Sequence, residues 1–278
     1  MERYFRPVLL EQALAALADG PATVLAGATD FYPARPVPQP HEVIVDITAV
    51  SGLRTIARRA DGWFVPCLAT WSDVIEATLP PCFDALKQAA RQVGGMQIQN
   101  VATVMGNLCN ASPAADGAPC LLALNASVEL ASVRGRRIMN LADFIQAPRR
   151  TCRRPDELAI GLHIPDIGGI SRFEKLGARA YLVISIAMVA AWVRLDGDRI
   201  EAARVAVGAC GPRAVLLPEL AHALVGQSCA SATIAPEHLA ALMPIDDIRA
   251  PAAYRRKAAY VLVRRAIHGL APAAIQAA

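Results

Sequence analysis

The sequence predicts an α+β fold of more than one domain, and three observations carry that prediction. Up to Pro165, strand-like runs and amphipathic helical runs are interspersed, with two hairpin signals among them. After Gly169, three strand-like runs follow one another as an antiparallel meander, and from Val215 onward the chain is Ala- and Leu-rich at helical spacing. A length of 278 residues fits one large domain or two to three smaller ones at ~150 residues each.

From Pro7 to Asp19, Leu10, Leu14 and Leu17 recur at helical spacing, with Asp19-Gly20-Pro21 as the stop. Thr23 to Ala26 reads as a buried strand running into Gly27. A second strand, Glu42 to Ile47, follows a connection rich in proline at Pro33, Pro36, Pro38 and Pro40. Leu53 to Arg58 and Trp63 to Cys67 flank Asp61-Gly62 as a hairpin. Pro81 to Val93 is a helix opened by proline and closed by Gly94-Gly95, and Gly117 to Leu124 is another. The stretch between these helices reads as a long polar loop. Ser127 to Val133 and Arg136 to Met139 make a second hairpin around Arg134-Gly135, and Glu157 to Ile164 is a strand before Pro165. Beyond Gly168-Gly169, where a domain boundary is expected, the meander comprises Ser171 to Leu176, Leu182 to Leu195 and Arg199 to Val207. Helical runs then cover Val215 to Val225, Pro236 to Met243 and Ala252 to His268.

Hydrophobic residues are 54% of the chain and mean hydropathy is +0.34, which excludes intrinsic disorder. The longest apolar run, Tyr181 to Val193, is shorter than the ~20 residues of a membrane span. The first residues lack the pattern of a secretory signal, so a cytoplasmic location is expected. Seven cysteines form no C-x-x-C pair, which argues against a disulfide framework, a metal site or an iron–sulfur cradle on this chain. The net charge is +4, but Arg134, Arg136, Arg137, Arg149, Arg150, Arg153 and Arg154 crowd one segment. With aromatics at 5%, nucleic acid is not an expected partner, and a solvated face is the plain explanation of the cluster.

No Rossmann fingerprint or P-loop is present, Gly226-Gln227-Ser228-Cys229-Ala230 departs from a serine-hydrolase elbow, and the five histidines lack metal-pair spacing. Two segments stand out instead. Val24-Leu25-Ala26-Gly27-Ala28-Thr29-Asp30-Phe31 is a strand breaking into a turn of small residues, whose backbone N–H groups can converge on an anion. Thr103 to Asp116 reads as a loop with hydroxyl, amide and carboxylate groups: Thr103 and Asn107 supply donors, Gly106 permits close backbone approach, and Asp116 can cap the next helix or accept from hydroxyls.

Together these segments resemble the FAD-binding subunit of the molybdenum hydroxylases, the family of xanthine dehydrogenase and carbon monoxide dehydrogenase. Ala26-Gly27-Ala28-Thr29-Asp30 is similar to that family's A-G-G-T-D, and Thr103-Val104-Met105-Gly106-Asn107 to its T-I-G-G-N. Ala111-Ser112-Pro113-Ala114-Ala115-Asp116 is similar to its A-S-P-x-x-D. The likeness extends through Val45-Asp46-Ile47, Gln97-Ile98-Gln99-Asn100, Pro155-Asp156-Glu157-Leu158, Phe173 to Arg179 and Tyr254-Arg255-Arg256.

The resemblance implies a two-part FAD-binding domain of the PCMH/vanillyl-alcohol-oxidase type over residues 1–167, its subdomains about 1–52 and 53–167. A smaller domain over 168–278 would follow, with an antiparallel three-stranded sheet and helices. It also implies that the FAD pyrophosphate lies on Val24, Leu25, Ala26, Gly27, Ala28, Thr29, Asp30 and Phe31 and on Thr103, Gly106 and Asn107, with Cys109 in the same site. Asp116 would hold ribose or ribityl hydroxyls, Leu158 and Ala159 would border the ring system or adenine, and Lys175 would approach the flavin. No residue of this chain is assigned a catalytic or metal-binding role. The implied activity is electron transfer: an iron–sulfur small subunit and a molybdenum large subunit as partners, and FAD here passing electrons to an acceptor such as NAD or a quinone. A stand-alone FAD oxidoreductase, such as a cell-wall sugar-nucleotide reductase, and a flavin-free scaffold subunit are the alternatives. The scaffold reading rests on Ala28 and Met105, which stand where the family usually has glycine. A Cβ at a position needing positive φ costs roughly 1–2 kcal/mol. Met105 is expected to pack behind the loop.

Overall fold

The computed structural model describes residues 3–35, 37 and 42–272. The prolines at 36, 38 and 40 lie outside the described residues. In chain order the first elements are β1 (Arg3–Phe5), α1 (Leu10–Ala18), β2 (Thr23–Leu25) and β3 (Val43–Asp46). They form a parallel sheet of order β1-β3-β2. Strand β1 has three residues, too few for an alternation to register in the sequence, and pairs Tyr4 with Ile44. Helix α1 buries Ala13, Leu14 and Leu17, the stripe that its spacing predicts. In such sheets ligand sites gather outside the carboxyl ends of the strands. The small-residue turn after Leu25 leaves the sheet at that end.

Next come β4 (Ala57–Arg59), β5 (Gly62–Pro66), α2 (Trp71–Glu76), α3 (Asp84–Ala90), α4 (Met96–Gln99), α5 (Val104–Asn110) and α6 (Gly117–Ala123). After them lie β6 (Ser127–Ser132), β7 (Gly135–Asn140), α7 (Leu141–Phe144), β8 (Ile145–Ala147), β9 (Arg150–Thr151) and β10 (Leu158–Pro165). An antiparallel sheet of order β4-β5-β10-β6-β7 joins both predicted hairpins through β10.

The predicted loop from Thr103 to Asp116 is corrected here, because half of it is helix α5. The Thr103 hydroxyl accepts the Gly106 N–H at 3.0 Å and caps the helix, Val104, Met105 and Leu108 turn one face into the core, and Ala111 ends it at φ 48°. Two turns with a Gly and two Asn are too short and too polar for a helical stripe to show in the sequence. Helix α2 is likewise unannounced; Thr70 and Asp73 form a reciprocal capping box at its start.

The chain then makes β11 (Ile170–Leu176), β12 (Ala187–Asp196), β13 (Arg199–Gly208), β14 (Val215–Leu216), α8 (Pro218–Leu224) and α9 (Ala252–His268). The meander β11-β12-β13 is present, with two-residue β14 added as a fourth strand. Strand β12 begins at Ala187 rather than Leu182, and α8 begins at Pro218 rather than Val215. The apolar run in β12 follows from burial on both faces. Met188, Ala190 and Trp192 pack into the core that extends from α1 to this sheet, while Ala187, Val189, Ala191 and Val193 pack with α8 and α9.

Candidate cofactor site

A cavity of about 660 Å³ opens where the β2 turn meets α5, within the ~300–1,000 Å³ usual for cofactor sites. The contact between the two segments depends on Gly27. A Cβ there would stand 2.1 Å from the Val101 carbonyl oxygen, so only glycine lets the turn lie against the backbone that leads into Thr103. Ala28 follows at φ 58° and its carbonyl accepts the Phe31 N–H at 3.1 Å, closing the turn. The alanine therefore occupies the left-handed region that glycine would occupy at less cost. Phe31 is held beneath Arg35, whose guanidinium lies 4.0 Å from the ring centroid and pairs with Glu42 at 2.8 Å.

The structure brings nearly all the predicted site residues around one cavity. Val24, Leu25, Ala26, Gly27, Ala28, Thr29, Asp30 and Phe31 line the cavity with Thr103, Gly106, Asn107, Cys109, Leu158 and Ala159. Gly106 has a local reason as well: a Cβ there would meet the Thr103 hydroxyl at 2.8 Å, and that hydroxyl caps α5. Met105 also reaches the wall, yet it is 3% exposed and packed among core residues, and its helical backbone carries no positive-φ strain. Burial pushes the Cys109 thiol up to about 11, against the pull of the nearby Arg153 guanidinium.

Asp116 and Lys175 are brought to each other instead of to the cavity wall. Lys175 Nζ donates to Asp116 Oδ2 at 2.6 Å, Ser185 Oγ donates to Asp116 Oδ1 at 2.6 Å, and both charged side chains are buried. Burial pushes the Asp116 carboxyl above its ordinary value, and Lys175 and Ser185 oppose that shift. The pair ties the start of α6 to the end of β11 and to the segment that enters β12.

Several wall residues escaped the sequence reading: Arg35, Cys67, Trp71, Asn110, Arg149 and Arg153. The arginine cluster was visible, but nothing in its spacing separates members that face the cavity from members that face carboxylates on neighbouring strands. Trp71 gave no signal because its helix gave none.

Whether FAD suits this wall can be tested on the residues themselves. Buried polar side-chain atoms are normally hydrogen-bonded. Asn107 Oδ1 and Trp71 Nε1 are buried and lack a partner, and both belong to wall residues. Gly117, behind the wall, packs closely against both residues: a Cβ there would stand 2.5 Å from the Trp71 ring and 3.2 Å from Asn107 Oδ1. Small-residue backbone, hydroxyl and amide donors and an arginine rim form a donor set suited to phosphates and sugar hydroxyls. Among the described residues no cluster of His, Cys, Asp or Glu could hold a metal ion, and no helix is long and apolar enough to cross a membrane.

Comparison with known proteins gives a consistent result. Residues 1–167 match the family model described as the FAD binding domain in molybdopterin dehydrogenase, and residues 172–270 match the CO dehydrogenase flavoprotein C-terminal domain. The chain is 33% identical over 217 residues to the xanthine dehydrogenase FAD-binding subunit of Escherichia coli O157:H7, covering 75% of this chain and 74% of that one. It is 27% identical over 279 residues to the glyceraldehyde dehydrogenase medium chain of Sulfolobus acidocaldarius, covering 96% and 98%. Among solved structures, reconstituted CO dehydrogenase from Oligotropha carboxidovorans aligns with a TM-score of 0.87 at 25% identity, covering 96% of each chain.

Proposed function

We propose that this chain, which belongs to the family of FAD-binding subunits of molybdopterin dehydrogenases, binds FAD in the cavity between the β2 turn and α5. There it relays electrons within an oxidoreductase complex. The observation that carries the reading is the convergence of both small-residue motifs on one cavity, two of whose lining residues hold unpartnered polar atoms. The backbone from Val24 to Phe31, with Thr103, Gly106 and Asn107, would hold the pyrophosphate; Cys109, Leu158 and Ala159 would complete the wall. Asp116 and Lys175 would act from behind it by fixing the chain segments that frame the site. FAD, when bound, supplies the one- and two-electron chemistry, while the protein positions and electrostatically tunes it.

The wall offers N–H, hydroxyl and amide donors around a cavity with Asp30 as its carboxylate, an arrangement that receives a diphosphate through backbone and side-chain dipoles. The partners in this proposal are an iron–sulfur small subunit and a molybdenum large subunit, with NAD or a quinone as acceptor. The chain divides into an FAD-binding domain over residues 1–167, with two subdomains that meet at about residue 52, and a second domain over residues 168–278. Support for a multi-subunit setting comes from the relatives, which are named as FAD-binding subunits or medium chains of dehydrogenases. The test is cofactor analysis of the freshly purified complex. We expect flavin absorbance and release of FAD on heating, together with co-purifying small and large subunits; release of FMN alone, or a colourless complex, would reject the reading.

A further inference from the structure

Five of the seven crowded arginines divide into two groups by what they face. Arg134 pairs with Asp156, Arg136 with Glu129 at 3.0 Å, and Arg137 with Glu157 at 2.7 Å. Arg149 and Arg153 instead line the cavity, and among the described residues neither has a carboxylate within ion-pair distance. Arg149 sits at φ 61°, a conformation uncommon for a side chain of its size. Its N–H donates to the Ala111 carbonyl at 3.0 Å, and its guanidinium donates to Asn110 Oδ1. Arg153 Nη1 is held by the carbonyls of Glu157 at 2.6 Å, Arg154 at 3.2 Å and Pro155 at 3.3 Å. Both cations are thus fixed by neutral acceptors and keep their charge available to the cavity.

Their place along the cavity is set by α5. Thr103 and the Gly27 turn mark one end of that helix, and Asn110 with Arg149 marks the other. Seven helical residues span ~10 Å at 1.5 Å each. The arginine end also includes Leu158 and Ala159, next to the Glu157 carbonyl that anchors Arg153. Val93 and Ile98 give the Thr103 side apolar surface instead. A dinucleotide with its diphosphate at the Thr103 and Gly27 end therefore sends one half toward the guanidiniums. A guanidinium plane stacks on a purine and donates to ribose oxygens, which suits the adenosine half.

We propose that Arg149 and Arg153 form an adenylate subsite that selects FAD over FMN. This rests on the flavoprotein reading and adds the residues that read the half of FAD which FMN lacks. The experiment titrates the apoprotein with FAD, FMN and ADP, for the wild type and for Arg149→Gln, Arg153→Gln, Arg153→Lys and Arg150→Gln. Arg150 is an exposed member of the same cluster outside the cavity wall and serves as the control.

We expect Arg149→Gln and Arg153→Gln to weaken FAD and ADP by about tenfold or more, the loss that follows removal of charged hydrogen-bonding groups. FMN affinity should stay unchanged, Arg153→Lys should recover some of the FAD loss, and Arg150→Gln should match the wild type for all three ligands. Thermal melts of each apoprotein separate loss of the subsite from loss of the fold. FAD and FMN weakening together would overturn the proposal. So would unchanged FAD binding in both glutamine variants, with or without loss of the partner subunits. A wild type that binds ADP through these arginines but takes up no flavin would reject the flavoprotein reading and keep the subsite, whereas one that binds neither would reject both.

Discussion

Two buried polar clusters in this molecule differ in where their hydrogen bonds end. Around Asp116, both carboxylate oxygens are taken by protein groups, Lys175 and Ser185, each at 2.6 Å. At the cavity wall, Asn107 Oδ1 and Trp71 Nε1 have no protein partner although they are buried. A buried polar group costs free energy unless it is bonded; Trp63 Nε1 and Arg204 Nη1 are also unpartnered away from the cavity, so it is an open group on a cavity-lining residue, as at Asn107 and Trp71, that gives a ligand something to contribute. Residue type alone makes Asp116 and Asn107 equally good cofactor ligands. Their surroundings separate them.

Breaking the closed cluster should have the largest effect. Lys175→Met leaves the Asp116 charge buried without its counter-ion, and such losses cost about 3–5 kcal/mol of stability. Denaturant unfolding of the apoprotein measures this. Replacing both members, Asp116→Leu with Lys175→Met, should recover most of that loss. If the comparison is right, the double variant still fills with FAD; a double variant that is empty although its unfolding midpoint matches the wild type would return Asp116 to the role of a direct ligand for sugar hydroxyls.

Next in size is Met105, which belongs to the wall and the core at once. Met105→Gly should destabilise the protein by about 2–5 kcal/mol, as large-to-small core truncations do, with a further cost for glycine within a helix. The FAD dissociation constant of the folded variant should stay unchanged or rise. Tighter binding at unchanged stability would mean that the side chain crowds the cofactor.

The open cluster should respond in the opposite sense. Asn107→Ala removes the amide whose Nδ2 would donate to a phosphate oxygen, worth ~1.5–3 kcal/mol or about tenfold and more in affinity, and whose unpartnered Oδ1 would accept from a sugar hydroxyl. It should leave the apoprotein's unfolding midpoint in place. Ser132→Ala, in β6 away from the cavity, is the matched control. Equal flavin occupancy in the two variants would remove the distinction between the clusters.

How legible each region was follows from element length and from where partners lie. The ten-residue strands β12 and β13 and the 17-residue α9 announce themselves, because a long element repeats its pattern enough times to be read. The β2 turn and the Thr103 to Asn107 segment were legible through their small residues and amides. What stayed hidden was non-local: Asp116 meets Lys175 59 positions later, and Arg137 and Arg153 differ in fate because Glu157 offers its carboxylate to one and its carbonyl to the other. Short elements were hidden as well, since α5 has seven residues and β1 three, fewer than a period needs to be seen.

The smallest effect expected is at Ala28, and it sharpens the comparison by asking about backbone rather than side chains. The residue sits at φ 58°, where an L side chain costs roughly 1–2 kcal/mol relative to glycine. Glycine gives back about 0.5–1 kcal/mol through the greater freedom of the unfolded chain. Ala28→Gly should therefore stabilise the protein by about 0.5–1 kcal/mol, the difference between those two contributions. The Gly27 contact with the Val101 carbonyl and the Phe31 N–H bond to the Ala28 carbonyl already hold the turn in shape, so FAD affinity should change little. Unfolding midpoints and FAD titrations of the two proteins check both statements. A loss of stability would mean that the alanine methyl makes packing contacts that outweigh its strain, and a large gain in affinity would mean that the turn reaches its cradle shape only when the cofactor binds.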